Sequence, residues 1–228
     1  MEKQSLDELL MPAYEKLIEI SKKAKNEYKG EKDTRIKHFE VLASDLAEQI
    51  NLIKCFNHFV EKHPQEFKNI TNYSENNNQI FIERVNDLLY SDFFLKVIMR
   101  TEMFFRDLYL AVNQGIDINS ISVNRLVAFL LNDTENNWQK EGSKLCLMLW
   151  DARNSIHNSG VYTKADKTHI YKGQNFDFKK GMAGVPFSIE DLVRLVRDLL
   201  DECYKIIVDP RIKAIQLIEH PFYKVFGK

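Results

Sequence analysis

The stretch SDFFLKVIMRTEMFFRDLYLAV, residues 91–112, is apolar on nearly every face when wound at helical pitch. Such a helix must be covered by others, so it predicts an element from Ile80 to Val112 buried among further helices, with Gly115 closing it. The rest of the chain offers that cover. Leu6, Leu9, Ala13, Leu17, Ile20 and Ala24 form a helical stripe that runs to Tyr28 and is broken by Gly30 and the charged run to Asp33. A second stripe follows through Phe39, Leu42, Leu46, Ile50, Ile53, Phe56 and Val60, ending before Pro64. Two long amphipathic helices joined by a short turn predict an antiparallel pair. A short helix is expected from about Val123 to Leu131. Another is expected from about Glu135 to Asn158, on the stripe Trp138, Gly142, Leu145, Leu149, Ala152 and Ile156. Its segment LCLMLW, residues 145–150, is apolar all round, which makes it a second central helix, and Gly160 is placed to terminate it.

Only late in the chain does the period change from helical to alternating. Thr168–Tyr171 and Asn175–Phe178, separated by Lys172-Gly173-Gln174, read as a β-hairpin. A last helix opens at Ser188, the expected N-cap, with Asp191 three residues on. Its stripe is Ile189, Leu192, Val196, Leu199, Leu200, Cys203 and Ile207, and Pro210 is expected to end it. Asn-rich residues 69–79 read as a solvated linker. With only 8 Gly and 5 Pro in 228 residues, a turn-rich all-β fold is disfavoured. The expected fold class is mainly α, a bundle of long antiparallel helices with one small β-hairpin near the C-terminal third. The expected organisation is one domain over residues 1–228: a helix pair (1–64), a core (80–208) carrying a hairpin at 161–180, and a basic, aromatic tail (209–228) with Arg211, Lys213, Phe222, Tyr223, Lys224 and Phe226.

A net charge of −1 gives no global field toward nucleic acid or anionic membrane, so any polyanion site must be a local patch. Cys55, Cys146 and Cys203 are scattered in apolar helical stretches and read as buried core thiols of a reducing compartment. The first residues are charged and lack the apolar run of a signal peptide, and no segment reaches the roughly 20 apolar residues that span a bilayer. The sequence reads as cytoplasmic, without a membrane partner. The sequons at Asn69, Asn72 and Asn132 then carry no weight. No metal-ligand spacing and no cofactor motif are visible.

One segment stands out chemically: Asp151-Ala-Arg-Asn-Ser-Ile-His-Asn-Ser-Gly160 at the end of a buried helix. Arg153 and His157 are four apart, so they stack one turn above the other, about 40° apart round the axis. Asn154 and Asn158 make a second stacked pair on the more polar side. A guanidinium can bind two phosphate oxygens and stabilise charge as a bond breaks, and an imidazole can trade a proton near neutral pH. Together they suit cleavage of RNA through its own 2′-hydroxyl. Between Val161 and Gly181 there are five Lys against two Asp; Lys164, Lys167 and Lys172 are the candidates to hold a phosphate backbone. A structural reading stands beside this one. A cationic His is favoured at a helix C-terminus, Asn158 and Gly160 are ordinary helix-ending residues, and a lysine-rich hairpin can be a solvated one. His38 and His58 read as surface or core-edge residues, and His169 as an exposed strand residue.

The run Arg153-Asn154-Ser155-Ile156-His157-Asn158, late in a buried helix of an α-helical bundle, resembles the signature of the HEPN superfamily. The resemblance covers roughly Phe93 to Val208. The family motif is Arg, often followed by a polar residue, then His after four to six residues; here three residues intervene. The resemblance implies a metal-independent endoribonuclease of toxin–antitoxin or phage-defence type, with Arg153 and His157 catalytic, Asn154 and Asn158 orienting them, RNA as substrate, no cofactor, and a homodimer whose two motifs share one cleft, with an antitoxin as a further partner. The alternative is a non-catalytic helical module that binds a protein partner or a nucleotide.

Overall fold

A computed structural model of the chain describes residues 6–158 and 160–221. Eight helices and one hairpin follow in order: α1 (Leu6–Glu27), α2 (Thr34–Lys62), α3 (Pro64–Thr71), α4 (Glu75–Val112), α5 (Val123–Leu130), α6 (Glu141–His157), β1 (Lys167–Tyr171), β2 (Gln174–Phe178), α7 (Ile189–Ile207) and α8 (Pro210–Lys213). The mainly α architecture with a late two-stranded hairpin is the one the periodicities predict. No described helix is long and apolar enough to cross a membrane.

The bundle is built on the apolar stripes. α1 buries Leu6, Leu10, Ala13, Leu17, Ile20 and Ala24 against α2 and α7, with Leu10 rather than Leu9 on the inner face. α2 turns Phe39, Leu42, Leu46, Ile50 and Ile53 inward. The LCLMLW segment of α6 is buried on every side, as its composition requires. α7 begins at the Ser188 N-cap, whose hydroxyl accepts from Asp191 N at 3.0 Å, and the Asp191 carboxylate is hydrogen-bonded back to the Ser188 backbone. The reciprocal capping box is thus complete with Asp in place of Glu. In the hairpin Lys172 (φ 49°) and Gly173 (φ 77°) form a two-residue turn, both in the left-handed region, which is the geometry that matches strand twist. Gln174 belongs to β2 rather than to the turn. His169, Tyr171, Phe176 and Phe178 all face inward, so the hairpin packs on the bundle.

A buried charge fastens the chain's end to its beginning. Asp33 caps α2 by accepting from Arg35 N. The Arg35 guanidinium, wholly buried, donates to both Asp33 oxygens at 2.9 and 2.6 Å and to the carbonyls of Ile212 and Ile215 at 2.9 Å each. It also lies 3.8 Å over the Tyr28 ring. Every bond replaces hydration lost on burial, which is how a buried charge is tolerated.

Several expectations are corrected. Residues 69–79 are not a linker: α3 runs through Thr71 and α4 starts at Glu75, because Ser74 caps α4 and Asn72 (φ 53°) supplies the left-handed C-cap of α3. Cys55 is exposed, since it lies on the outward side of α2; only Cys146 and Cys203 are buried. α6 starts at Glu141, not near Glu135, because the Asp133 carboxylate collects the backbone N–H groups of Thr134, Gln139 and Lys140 in a turn. α4 is covered on one side only: Met99 and Met103 remain about half exposed. Pro210 opens α8 instead of merely ending α7. His38 is an interior residue stacked on Phe104 at 4.2 Å, not a surface or core-edge one, while His58 is exposed. Phe222, Tyr223, Lys224 and Phe226 lie outside the described residues.

Candidate functional site

The sequence segment of interest closes α6. Its first member, Asp151, is almost fully buried because it faces the hairpin and not the solvent. His169 Nε2 donates to Asp151 Oδ2 at 2.9 Å, Lys167 Nζ lies 3.0 Å from the same oxygen, and Lys164 Nζ lies 2.7 Å from Oδ1. Burial raises the pKa of this carboxyl, but the hydrogen bonds from His169, Lys164 and Lys167 outweigh that and hold it well below the usual carboxylate range. His169 is therefore a buried anchor between β1 and α6 rather than an exposed strand residue. Its imidazole reaches Asp151 because position 169 is on the inner face of the strand.

Asp151 helps to line a partly open polar cavity of about 270 Å³. Arg153 and Asn154 form one wall, and Lys164 and Lys167 stand at another. Glu102 of α4, Trp150 of α6 and Asn124 of α5 complete it, with Val123 and Leu147 as apolar patches. Three cations against two carboxylates leave one positive charge in excess.

Arg153 is the least satisfied group here. Its Nη1 donates to Asn154 Oδ1 at 3.0 Å. Its Nε is buried and has no hydrogen-bond partner among the described residues, and none of their carboxylates forms an ion pair with the guanidinium. A buried donor left open costs about 1–3 kcal/mol, and the residue that carries it lines the cavity. By contrast, a larger cavity of about 410 Å³ between α5, α6 and α7 is lined by charges that are already engaged: Glu202 with Lys205, and Lys140 with the Leu131 carbonyl.

The structure brings together Arg153, Asn154, Lys164 and Lys167. It leaves three other expected residues outside the cavity wall. His157 is solvent-exposed, one helical turn or about 6 Å beyond Arg153. Asn158 is the C-cap of α6, with its amide donating to Thr163 Oγ1 at 3.2 Å, so it fixes the helix end. Lys172 is far away: its backbone N–H donates to Glu141, the first residue of α6, and its ammonium pairs with Asp198 at 3.0 Å. Twelve residues of helix, about 18 Å, separate that end from Arg153. Glu102, Asn124 and Trp150 were not legible as site residues. Trp150 had only the signal of its place one residue before Asp151, and Glu102 and Asn124 had none.

Among the described residues, no group of three or more His, Cys, Asp or Glu side chains is placed to hold a metal ion. No family model, curated protein or solved structure matches this chain.

Proposed function

We propose that the C-terminal end of α6 binds a phosphodiester and cleaves RNA without a metal, as the resemblance of residues 153–158 to the HEPN signature implies. The observation that supports this most is that Arg153, whose guanidinium has no ion-pair partner among the described residues, lines a cationic cavity one turn from the exposed His157. In this reading Arg153 takes two non-bridging phosphate oxygens and stabilises their charge as the phosphorus becomes five-coordinate. Asn154 orients that guanidinium. Lys164 and Lys167 hold the flanking backbone, with Asp151 keeping them in place.

The 2′-oxygen attacks phosphorus, the bond to the 5′-oxygen breaks, and a 2′,3′-cyclic phosphate and a 5′-hydroxyl result. One proton leaves the 2′-hydroxyl and one reaches the departing 5′-oxygen. His157 performs one of these transfers. A two-fold homodimer that brings a second His157 to the same cleft performs the other. The cellular setting proposed is cytoplasmic toxin–antitoxin or phage defence, in which an antitoxin-type protein would cover the site.

The test is incubation of the purified protein with total RNA, with and without EDTA, alongside Arg153→Ala and His157→Ala. Cleavage that persists in EDTA and falls about 10²–10⁴-fold in each variant is expected, and the double variant should be little worse than either single one. An inert wild type, with Arg153→Ala merely melting early, would remove the reading. A second reading is favoured by the position of His157 outside the cavity wall: a module that binds nucleotides without cutting. It expects Arg153→Ala to abolish binding and His157→Ala to leave it unchanged.

A further inference from the structure

Glu102 is at odds with a site made only for phosphate. A carboxylate in the wall repels phosphate, yet this one is firmly built in. Its Oε1 accepts from Arg106 Nε at 3.1 Å and Nη2 at 2.7 Å, and its Oε2 accepts from Trp150 Nε1 at 3.2 Å. Arg106 is itself pinned to the carbonyls of Ile118 and Ile121 at 2.8 and 3.3 Å. Four donors on two carboxylate oxygens would saturate the group; three are present, and the acceptor site still open is on Oε2. That side chain lines the same cavity as Arg153. The fixed carboxylate is therefore an acceptor aimed at an N–H donor that arrives together with an anion.

We infer that the cavity is a subsite for one unstacked nucleobase bearing an exocyclic amino group, read by the Oε2 of Glu102 while Arg153 holds the adjoining phosphate. The inference rests on the phosphate reading of Arg153. The volume of about 270 Å³ lies just below the range of ordinary small-ligand pockets, which suits one base. Trp150, Leu147 and Val123 offer apolar surface to the ring, and the amides of Asn124 and Asn154 can bond to its edge. Single-stranded RNA is recognised in this way, by bases splayed out and bonded along their edges. Adenine, cytosine and guanine carry the amino group. Uracil has no exocyclic amino group: its one ring N–H donor, N3–H, is flanked by two carbonyls that a carboxylate repels.

The experiment has a binding arm and a cleavage arm. Titration calorimetry of the wild-type protein with AMP, CMP, GMP and UMP is expected to show the three amino-bearing nucleotides binding about tenfold or more tightly than UMP, the gain of one charge-assisted hydrogen bond. Glu102→Gln, which replaces the acceptor oxygen with an amide, should erase or reverse that preference. Asn124→Leu, which fills the cavity from α5 and leaves the Glu102–Arg106–Trp150 bonds alone, should weaken all four while retaining the wild-type melting temperature. Equal binding of UMP and CMP by the wild type, binding of none of the four, or an unchanged preference in Glu102→Gln would overturn the inference. Oligonucleotides varied at one position then separate it from the cleavage reading. A base preference in binding with no cut product leaves the subsite standing and removes the nuclease. Cleavage without any base preference that Glu102→Gln alters removes the subsite and leaves the nuclease.

Discussion

Over residues 93–109, α4 turns Phe93, Phe94, Val97, Ile98, Phe104, Phe105, Leu108 and Tyr109 into the bundle; over residues 75–90 none of its described side chains is buried. The same helix thus belongs to two regions. In the body it is flanked by α2, α5, α6 and α7. In the arm, formed by the end of α2, α3 and the start of α4, only Ile53 and Phe67 are buried among the described side chains between residues 51 and 90. The arm is held by ring contacts around Phe67, whose centroid lies 6.1–6.2 Å from those of Phe56, Phe59 and Phe81. Leu52, Ile70, Tyr73, Ile80 and Leu88 stay exposed. Both regions are helical and both contain large apolar residues. What differs is the number of elements available to cover them, and burial rather than composition sets stability. The arm should therefore open at lower free energy than the body, and the cavity near Arg153 sits on the stable side of that division.

The largest expected effect contrasts two phenylalanines. Phe105→Ala removes a fully buried ring stacked on Trp150 at 5.9 Å and should lower global stability by about 3–5 kcal/mol. Phe67→Ala should mainly speed amide exchange across residues 51–90 with a much smaller shift of the main melting transition. Equal losses in urea unfolding would merge arm and body into one cooperative unit.

A second effect belongs to the body alone. His38 is fully buried between α2 and α4, and burial, with smaller contributions from the His220 and Arg100 charges, lowers its pKa from 6.5 to about 3. Because the folded value lies below the unfolded one, protonation favours the unfolded chain. Stability is complete above about pH 6.5 and declines as pH falls toward 3, by about 1.4 kcal/mol per pH unit from this one residue. His38→Phe should flatten that slope in pH-dependent urea melts, whereas His58→Phe, on the exposed side of α2, should not. An unchanged slope in His38→Phe would place the acid sensitivity elsewhere.

The smallest effect tests the arm's surface. Leu88→Gln should change stability by no more than about 0.5 kcal/mol, since Leu88 is 69% exposed. A larger loss in the same melts would mean that this face of α4 is covered in solution.

The long helices, the hairpin and the cap at Ser188 were legible in the sequence because each depends on neighbours a few residues apart, whereas the short α3 and α8 were not read. Stripes at three and four residues set α1, α2, α6 and α7; Lys172-Gly173 set the turn; and Ser188 with Asp191 set the start of α7. The placement of Arg153 and Asn154 late in α6 was legible for the same reason, as part of one helical segment. Only the tertiary structure decided which faces found a partner. It left Cys55, Met99 and Met103 outside and drew His38 and His169 inside. It also separated Lys172 from Lys164 and Lys167, because the hairpin lies along α6 and carries its turn to the far end. Glu102 stands about fifty residues before Arg153 and reaches the same cavity only because α4 packs against α6. A side chain's local pattern fixes its helix and its face; what that face meets depends on the packing of elements distant in sequence, which no local pattern encodes.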